Sequence, residues 1–345
     1  MSFQLRNALV TGIGGQDGAL LAAYLLERGG AVTGTHRPHR AFDDWRLREL
    51  GIAAHPRLRL VALDPVDTAA CAAAVADIKP DAVFHLAGQS RVAESFRDPR
   101  GSIDANGSST LNLLEALRAH APNARLVLAS SAEIFGAPER APQDEATPLA
   151  ARTPYGVSKL LAHAAVGAWR ASYGLHASSA ILFNHESPLR DEAFVTRKIS
   201  RAVARIARGL DREVLLGNLD ARRDFGYAPD FVAAMAKMVA RDDAGDYVLA
   251  TGRAASIRDF ATAAFAAIGV ALDWRGEGAD EVGIERGSGI ARVRVDAALL
   301  RPFDAPLLVG DAAKARRELG FAPSLDLAAL ARTMVEADLA RERGA

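Results

Sequence analysis

The chain has 345 residues, half of them hydrophobic, enough for one large domain or two smaller ones with a sizeable core. Its 42 basic and 42 acidic residues cancel and are interspersed, which argues against a nucleic-acid surface or a polybasic membrane anchor. A single cysteine, Cys71, excludes an intramolecular disulfide and a cysteine-rich metal site. The N-terminal Met1-Ser-Phe-Gln-Leu-Arg runs straight into a strand pattern, and no uninterrupted apolar run is long enough to span a bilayer. A soluble cytoplasmic protein with no nucleic-acid or membrane partner is expected.

Ala8-Leu9-Val10-Thr11 reads as a first strand ending in Gly12, and a helix pattern begins near Asp17. Between them lies Gly12-Ile-Gly14-Gly15-Gln16-Asp17-Gly18. Gly12 permits a tight turn, Gly15 a close backbone approach to a pyrophosphate, and Gly18 close packing of helix on strand. The helix N-terminus adds N–H donors and a positive dipole. Gly12, Gly15, Gln16, Asp17 and Gly18 are therefore expected to hold a dinucleotide. The second strand, Ala31 to Thr35, leads into His36-Arg37-Pro38-His39-Arg40. A carboxylate at this place would hold the ribose 2′-hydroxyl of NAD; instead the Arg37 guanidinium matches a 2′-phosphate, which favours NADP over NAD.

The third strand, Leu58 to Leu63, ends at Asp64, a residue suited either to contact adenine or to cap a helix beginning near Pro65. A helical pattern over 66–78 carries Cys71 among alanines, where a buried, inert thiol is expected. The fourth strand, Ala82 to Ala87, ends in Leu86 and Ala87, which join the cofactor-binding set. A helical pattern over 106–120 precedes the fifth strand, Arg125 to Ser130, and a long one over 155–173 precedes the sixth, Ala177 to Phe183. Strands alternating with helices predict an α/β, Rossmann-like, doubly wound parallel sheet covered on both faces.

Tyr155 and Lys159 open the long helix four residues apart and so share one face. A phenol is a poor base, with a reference pKa of about 10. A lysine cation beside it favours the phenolate, so the pair suits removal of a proton from a hydroxyl. The fifth strand runs into Ser131-Ala132-Glu133-Ile134-Phe135-Gly136, and the C-terminal ends of strands line the ligand crevice in such sheets.

After residue 184 the alternation becomes irregular. Expected elements are a helix over 194–208, strands near Val214–Leu216 and Tyr247–Ala250, and a helix from Ser256 to Ile268. A loop over Gly276–Gly289 and helices at Ala312–Leu319 and from Leu325 to about Arg341 complete the chain. The domains expected are 1–183, binding the dinucleotide, and 184–345, a smaller C-terminal α/β substrate-binding region from which the chain returns in part to the first.

The glycine loop with Ser131, Tyr155 and Lys159 resembles the serine–tyrosine–lysine set of the extended short-chain dehydrogenases/reductases that act on sugar nucleotides. The resemblance implies that Ser131 hydrogen-bonds a substrate hydroxyl, Tyr155 removes its proton, and Lys159 tunes the tyrosine and binds the nicotinamide ribose. Glu133 adds a base for elimination. Oxidation of a sugar carbon acidifies the neighbouring C–H, and a carboxylate there can move that proton to a hydroxyl leaving two carbons from the ketone.

Phe183-Asn184-His185-Glu186-Ser187-Pro188, Phe194-Val195-Thr196-Arg197-Lys198-Ile199 and Leu216-Gly217-Asn218-Leu219-Asp220, with the following Arg223-Asp224, look like signatures of the GDP-mannose 4,6-dehydratase family. Val293-Arg294-Val295-Asp296 with Arg301-Pro302 is similar, and the likeness spans essentially the whole chain. It implies that Asn184, Lys198, Arg223 and Arg301 hold the nucleotide diphosphate and guanine, with Glu186 and Asp304 in the same substrate set. It also implies a GDP-sugar substrate and a homodimer or homotetramer.

Departures from the family pattern are Ser131-Ala132 where Thr-Ser is usual, Phe135 for a tyrosine, Asp304 for a glutamate, and no second arginine directly after Arg37. His185 alone makes no metal site. The alternatives are a GDP-sugar 4-reductase or epimerase on the same scaffold, or a nucleotide-sensing protein without turnover.

Overall fold

A strand in the middle of a parallel sheet buries both faces, as Ala-Val-Phe-His of 82–85 does in the computed structural model of this protein, which describes residues 3–39, 41–300 and 307–342. In chain order the strands are β1 Asn7–Thr11, β2 Ala31–His36, β3 Leu58–Ala62, β4 Ala82–His85, β5 Arg125–Ala129 and β6 Ala177–Leu182. They continue as β7 Asn184–Glu186, β8 Val214–Leu216, β9 Arg222–Tyr227, β10 Asp246–Leu249 and β11 Ala254–Ser256. The last are β12 Leu272–Arg275, β13 Val282–Glu285, β14 Ala291–Val295 and β15 Leu307–Leu308.

The chain divides into two units. The first comprises Met1–Phe183, Ala228–Leu249 and Gly310–Ala322. Its seven strands lie in the order β10-β6-β5-β4-β1-β2-β3, and every pairing is parallel. Successive side chains of a strand point to opposite faces. Val10, Val32, Phe84 and Val127 accordingly pack in one core with Leu21 and Leu25 of the helix Gln16–Glu27 and Met235 of the helix Ala228–Met238. Their neighbours Leu9, Val83, Leu126 and Leu128 pack in the other, against the helices Thr68–Ile78, Ser109–His120 and Pro154–Tyr173. This is the doubly wound α/β sheet expected. Cys71 is fully buried in the second core, and burial pushes its thiol up to about 12, so it is inert.

The second unit comprises Asn184–Tyr227, Ala250–Val309 and Pro323–Ala345. It holds two four-stranded sheets, β12-β13-β14-β8 and β11-β9-β15 with β7 paired to β9. The helices Val195–Ala207, Ile257–Ala266 and Leu327–Arg341 share one apolar core that includes Ile199, Phe260 and Met334.

Two sequence expectations need correction here. Gly276–Gly289 is not all loop: β13 lies inside it, antiparallel to both β12 and β14. The helix Ala228–Met238 was not anticipated, although Pro229 near its start is where proline is tolerated. Among the described residues no helix is long and apolar enough to cross a membrane.

Candidate active site

In the first unit, Gly12 leaves β1 at φ +74, and a Cβ there would lie 2.8 Å from the Cα and N of Ala87. Only glycine lets the loop lie on the end of β4 in this way. A Cβ on Gly18 would similarly come within 2.8 Å of the Ile13 Cα. Gly15 is the extended N-cap of the helix Gln16–Glu27, with no side-chain cap bond. A helix start opened by small residues in this manner fits a pyrophosphate. Gln16 is buried, and its Nε2 donates to the Asp17 carboxylate at 3.0 Å. Arg46, which the sequence reading missed, donates from Nη1 to the Gly14 carbonyl at 2.8 Å, while Arg37 stands exposed after β2.

Asp64 is not a helix cap. Its carboxylate accepts from the Val66 N–H at 3.1 Å, and Asp67 caps the helix Thr68–Ile78 by accepting from Ala70 at 2.9 Å. A cap must sit immediately before the first helical residue, and the turn over Pro65 and Val66 delays the helix by three residues.

At the end of β5, Ser131 is the N-cap of a short 3-10 turn, Ala132–Phe135, its Oγ accepting from the Glu133 N–H at 3.2 Å. Thr153 caps the helix Pro154–Tyr173 by accepting from Gly156 at 2.9 Å, with Pro154 in the first turn. A Cβ on Gly156 would lie 2.7 Å from the Glu133 carbonyl oxygen, so glycine lets this helix begin directly against the turn. The turn that carries Ser131 and Glu133 is thereby set against the helix start that bears Tyr155. Ser131 and Tyr155 are buried, and Lys159 is buried one turn further along the helix.

The Lys159 Nζ lies 6.0 Å from the centre of the Tyr155 ring and donates to the Ala129 carbonyl at 2.9 Å. Burial pushes its ammonium down to about 8, and Asp17 of the glycine loop opposes that shift. A cation beside the phenol is thus kept close to its own titration range.

Four further residues here, Asn106, Gln89, Ser158 and His85, had no role in the sequence reading. Asn106 sits in a π-turn, Asp104–Ser108, where its Nδ2 donates to the Gln89 carbonyl (3.0 Å) and Ser158 Oγ (2.8 Å). Its Oδ1 accepts from the Gln89 N–H at 3.1 Å, and Ser158 Oγ donates to the Tyr155 carbonyl at 2.7 Å. His85 ends β4 fully buried. The polar run Asn106-Gly-Ser-Ser109 inside an otherwise helical pattern was the available signal, since π-turns recur at functional sites.

In the second unit, Asn184 opens β7 and pairs with Phe225 of β9. Arg223 lies two residues before Phe225, so Asn184 and Arg223 share a face of that strand pair. Arg223 is buried, and its Nη1 donates to the Arg222 carbonyl at 2.8 Å. Lys198 is half-buried on the helix Val195–Ala207; burial lowers its pKa and Asp296 opposes the shift. Glu186 has a different part from the ligand contact expected. Its carboxylate is fully buried, accepts from Thr196 Oγ1 and pairs with Arg190 at 3.1 Å, so it anchors the segment entering that helix. Arg301 and Asp304 lie outside the described residues.

A family model described as GDP-mannose 4,6 dehydratase matches residues 9–334. The GDP-mannose 4,6-dehydratase of Sinorhizobium fredii (strain HH103) is 42% identical over 342 residues, covering 98% of this chain and 97% of that one. GDP-mannose 4,6-dehydratase sdnI of Sordaria araneosa is 44% identical over 97% of this chain, which spans 61% of that longer protein. Among solved structures, RMD from Pseudomonas aeruginosa complexed with NADPH is 25% identical with a TM-score of 0.75, covering 97% of this chain and 99% of that chain. Fold, glycine loop and whole-length likeness agree: this chain belongs to the GDP-mannose 4,6-dehydratase family.

Proposed function

We propose that this protein is a sugar-nucleotide 4,6-dehydratase that converts GDP-mannose, or a close GDP-sugar, to the 4-keto-6-deoxy sugar. The observation that carries the reading is Glu133 in a turn capped by Ser131 and packed on the helix start that bears Tyr155. A simple dehydrogenase needs no such carboxylate. When bound in the glycine cradle, a nicotinamide dinucleotide supplies the hydride acceptor at C4 and the hydride donor at C6, and is unchanged after one turnover.

Tyr155 takes the proton of the C4 hydroxyl, with Ser131 hydrogen-bonded to the same oxygen. Lys159 keeps the phenolate accessible by its charge. Glu133 removes the C5 proton, made acidic by the C4 ketone, and with Ser131 protonates the departing C6 hydroxyl, which leaves as water; the proton taken up by Tyr155 balances the one that C5 regains when C6 is reduced. General acid–base help of this kind is worth roughly a hundred- to ten-thousand-fold. Asn184, Lys198 and Arg223 take the nucleotide diphosphate and guanine, for which cations and amide groups are apt partners.

The cofactor is read as NADP, because Arg37 and no carboxylate follows β2. Replacing Arg37 by Ala should then weaken NADP binding and leave NAD binding little changed; equal loss of both overturns that assignment. The same reading makes the enzyme a cytoplasmic homodimer or homotetramer, a choice that sedimentation decides.

The test of the reaction is anaerobic incubation of GDP-mannose with catalytic cofactor, followed by mass spectrometry. The expected result is loss of one water with no net change in reduced cofactor. Stoichiometric consumption or production of the reduced cofactor overturns the dehydratase assignment.

A further inference from the structure

A buried imidazole sits beneath the dinucleotide loop, and the proposed chemistry does not use it. Thr11 Oγ1 accepts from the N–H groups of Leu86 (3.2 Å) and Ala87 (3.1 Å). With both lone pairs engaged, its own proton is directed to its remaining neighbour, His85 Nδ1, at 2.8 Å. Nδ1 is then the bare nitrogen, and Nε2–H points to Ser109 Oγ at 3.1 Å. Ser109 passes its proton on to the Ala105 carbonyl at 2.7 Å. Burial, and then the nearby Lys159 charge, push the imidazole down to about 3, so it stays neutral and this single arrangement of protons persists.

The chain of contacts does not stop there. Ser109 immediately follows the π-turn in which Asn106 grips Gln89 and Ser158, and Ser158 is bonded to the Tyr155 carbonyl. Ser109 Oγ also reaches the Asn106 carbonyl at 3.4 Å, so a path of hydrogen bonds, continued through Asn106 itself, runs from the Leu86–Ala87 backbone, against which Gly12 lies, to the first turn of the helix bearing Tyr155 and Lys159. A satisfied buried network of this kind rigidifies what it joins.

We propose that His85 is a positioning residue that couples the floor of the dinucleotide loop, through Thr11, to the catalytic helix, through Ser109 and the π-turn. The inference rests on the role given above to Tyr155. It assigns the two imidazole nitrogens separate tasks: Nδ1 serves cofactor binding, and Nε2 serves the helix.

Two substitutions separate the tasks. The carboxamide of Asn reaches as far as Nδ1 and can accept from Thr11, but it falls short of Ser109. That of Gln reaches as far as Nε2 and can donate to Ser109, leaving the Thr11 hydroxyl proton without its acceptor. Measurements on each variant are the NADPH dissociation constant without sugar nucleotide, kcat at saturating cofactor, and thermal melting. In His85→Gln the dissociation constant should rise about tenfold and kcat fall less; in His85→Asn kcat should fall about tenfold and the dissociation constant move less, as expected for one lost hydrogen bond and one stranded partner. Ser109→Ala, a smaller change, should mirror His85→Asn.

Parallel changes in both quantities, or a lowered melting point with neither changed, overturn the proposal. The cofactor-binding measurement requires no turnover. If the wild-type protein binds NADPH yet dehydrates no GDP-sugar, the reaction assignment fails while the Asn–Gln difference in binding still decides the Nδ1 task.

Discussion

In the first unit the buried polar groups that meet near the strand ends include hydroxyls, an amide, an imidazole and one ammonium bonded to backbone or to one another: Thr11, Ser109, Ser158, Asn106, His85 and Lys159. In the second unit they are mainly paired ions. Arg197 meets Asp338 at 2.6 Å, Arg190 meets Glu186 at 3.1 Å, and Arg258 forks onto Glu281 at 2.5 and 2.7 Å. A seven-stranded sheet buried on both faces satisfies its own backbone and supplies a large apolar core. Its polar groups are then available to place reacting atoms. Strands of two to six residues in the second unit bury less, and arginine–carboxylate pairs tie its helices and loops together.

Those pairs give geometry more than net stability. Burial lowers the pKa of Arg197 and raises that of Asp338, each the largest influence on its group and each outweighing the attraction of the partner. The desolvation of the two ions therefore exceeds their mutual gain, the usual situation for a buried pair.

The contrast can be broken most sharply at Tyr155. Tyr155→Phe should lower turnover by roughly a hundred- to ten-thousand-fold while the melting temperature stays near that of the parent, because the lost group acts on substrate. A fall in stability as large as the fall in rate would show that the first unit, too, uses this residue mainly as structure. Glu133→Gln should cost a similar factor, and it should leave reduced nicotinamide on the enzyme after C4 oxidation. Unimpaired turnover in that variant would move the protein to the reductase or epimerase alternative.

In the second unit the expected effect is on folding. Arg197→Ala leaves the buried Asp338 carboxylate with only Ser200 and Arg341 and should cost up to about 3–5 kcal/mol in denaturant unfolding. Joint replacement, Arg197→Met with Asp338→Leu, should recover most of that loss. Failure of the double variant to recover would mean that the pair stabilises outright, against the pKa directions above.

The smallest effect concerns acid stability. An unfolded histidine takes up a proton near pH 6.5, whereas buried His85 does so only near 3. Between these values the unfolded chain binds more protons, so stability contributed at this site is complete above about 6.5 and declines as pH falls towards 3. His85→Gln removes that dependence, and its unfolding free energy should fall less steeply over the same interval. Equal slopes in the two proteins would show that the imidazole is not held neutral.

How much of this was legible depended on how far apart the partners lie in the chain. Tyr155 and Lys159, the Thr153 cap and the Gly12–Gly18 loop work across three to six residues, and all but the cap were marked directly from spacing. Val282-Gly-Ile-Glu lies in Gly276–Gly289, a stretch whose richness in glycine and charge points to a loop. It became β13 because β12 and β14 offer edges on both sides, and because the Trp274 ring lies 3.1 Å from where a Gly283 Cβ would be. Glu186 resembled a ligand residue by its motif, yet Thr196 and Arg190 had already engaged its carboxylate.

The amino-acid sequence by itself determined the alternation of buried strands and helices, the glycine turn after the first strand, and the face shared by a phenol and an ammonium, because local backbone geometry and side-chain period dictate each. Only the tertiary structure decided which turn meets Tyr155, what His85 and Asn106 hold, and which carboxylates are tied up inside the protein. Most of those outcomes depend on groups 10 to 141 residues apart that meet only once the sheets and helices have packed, and buried polar atoms must find their partners there.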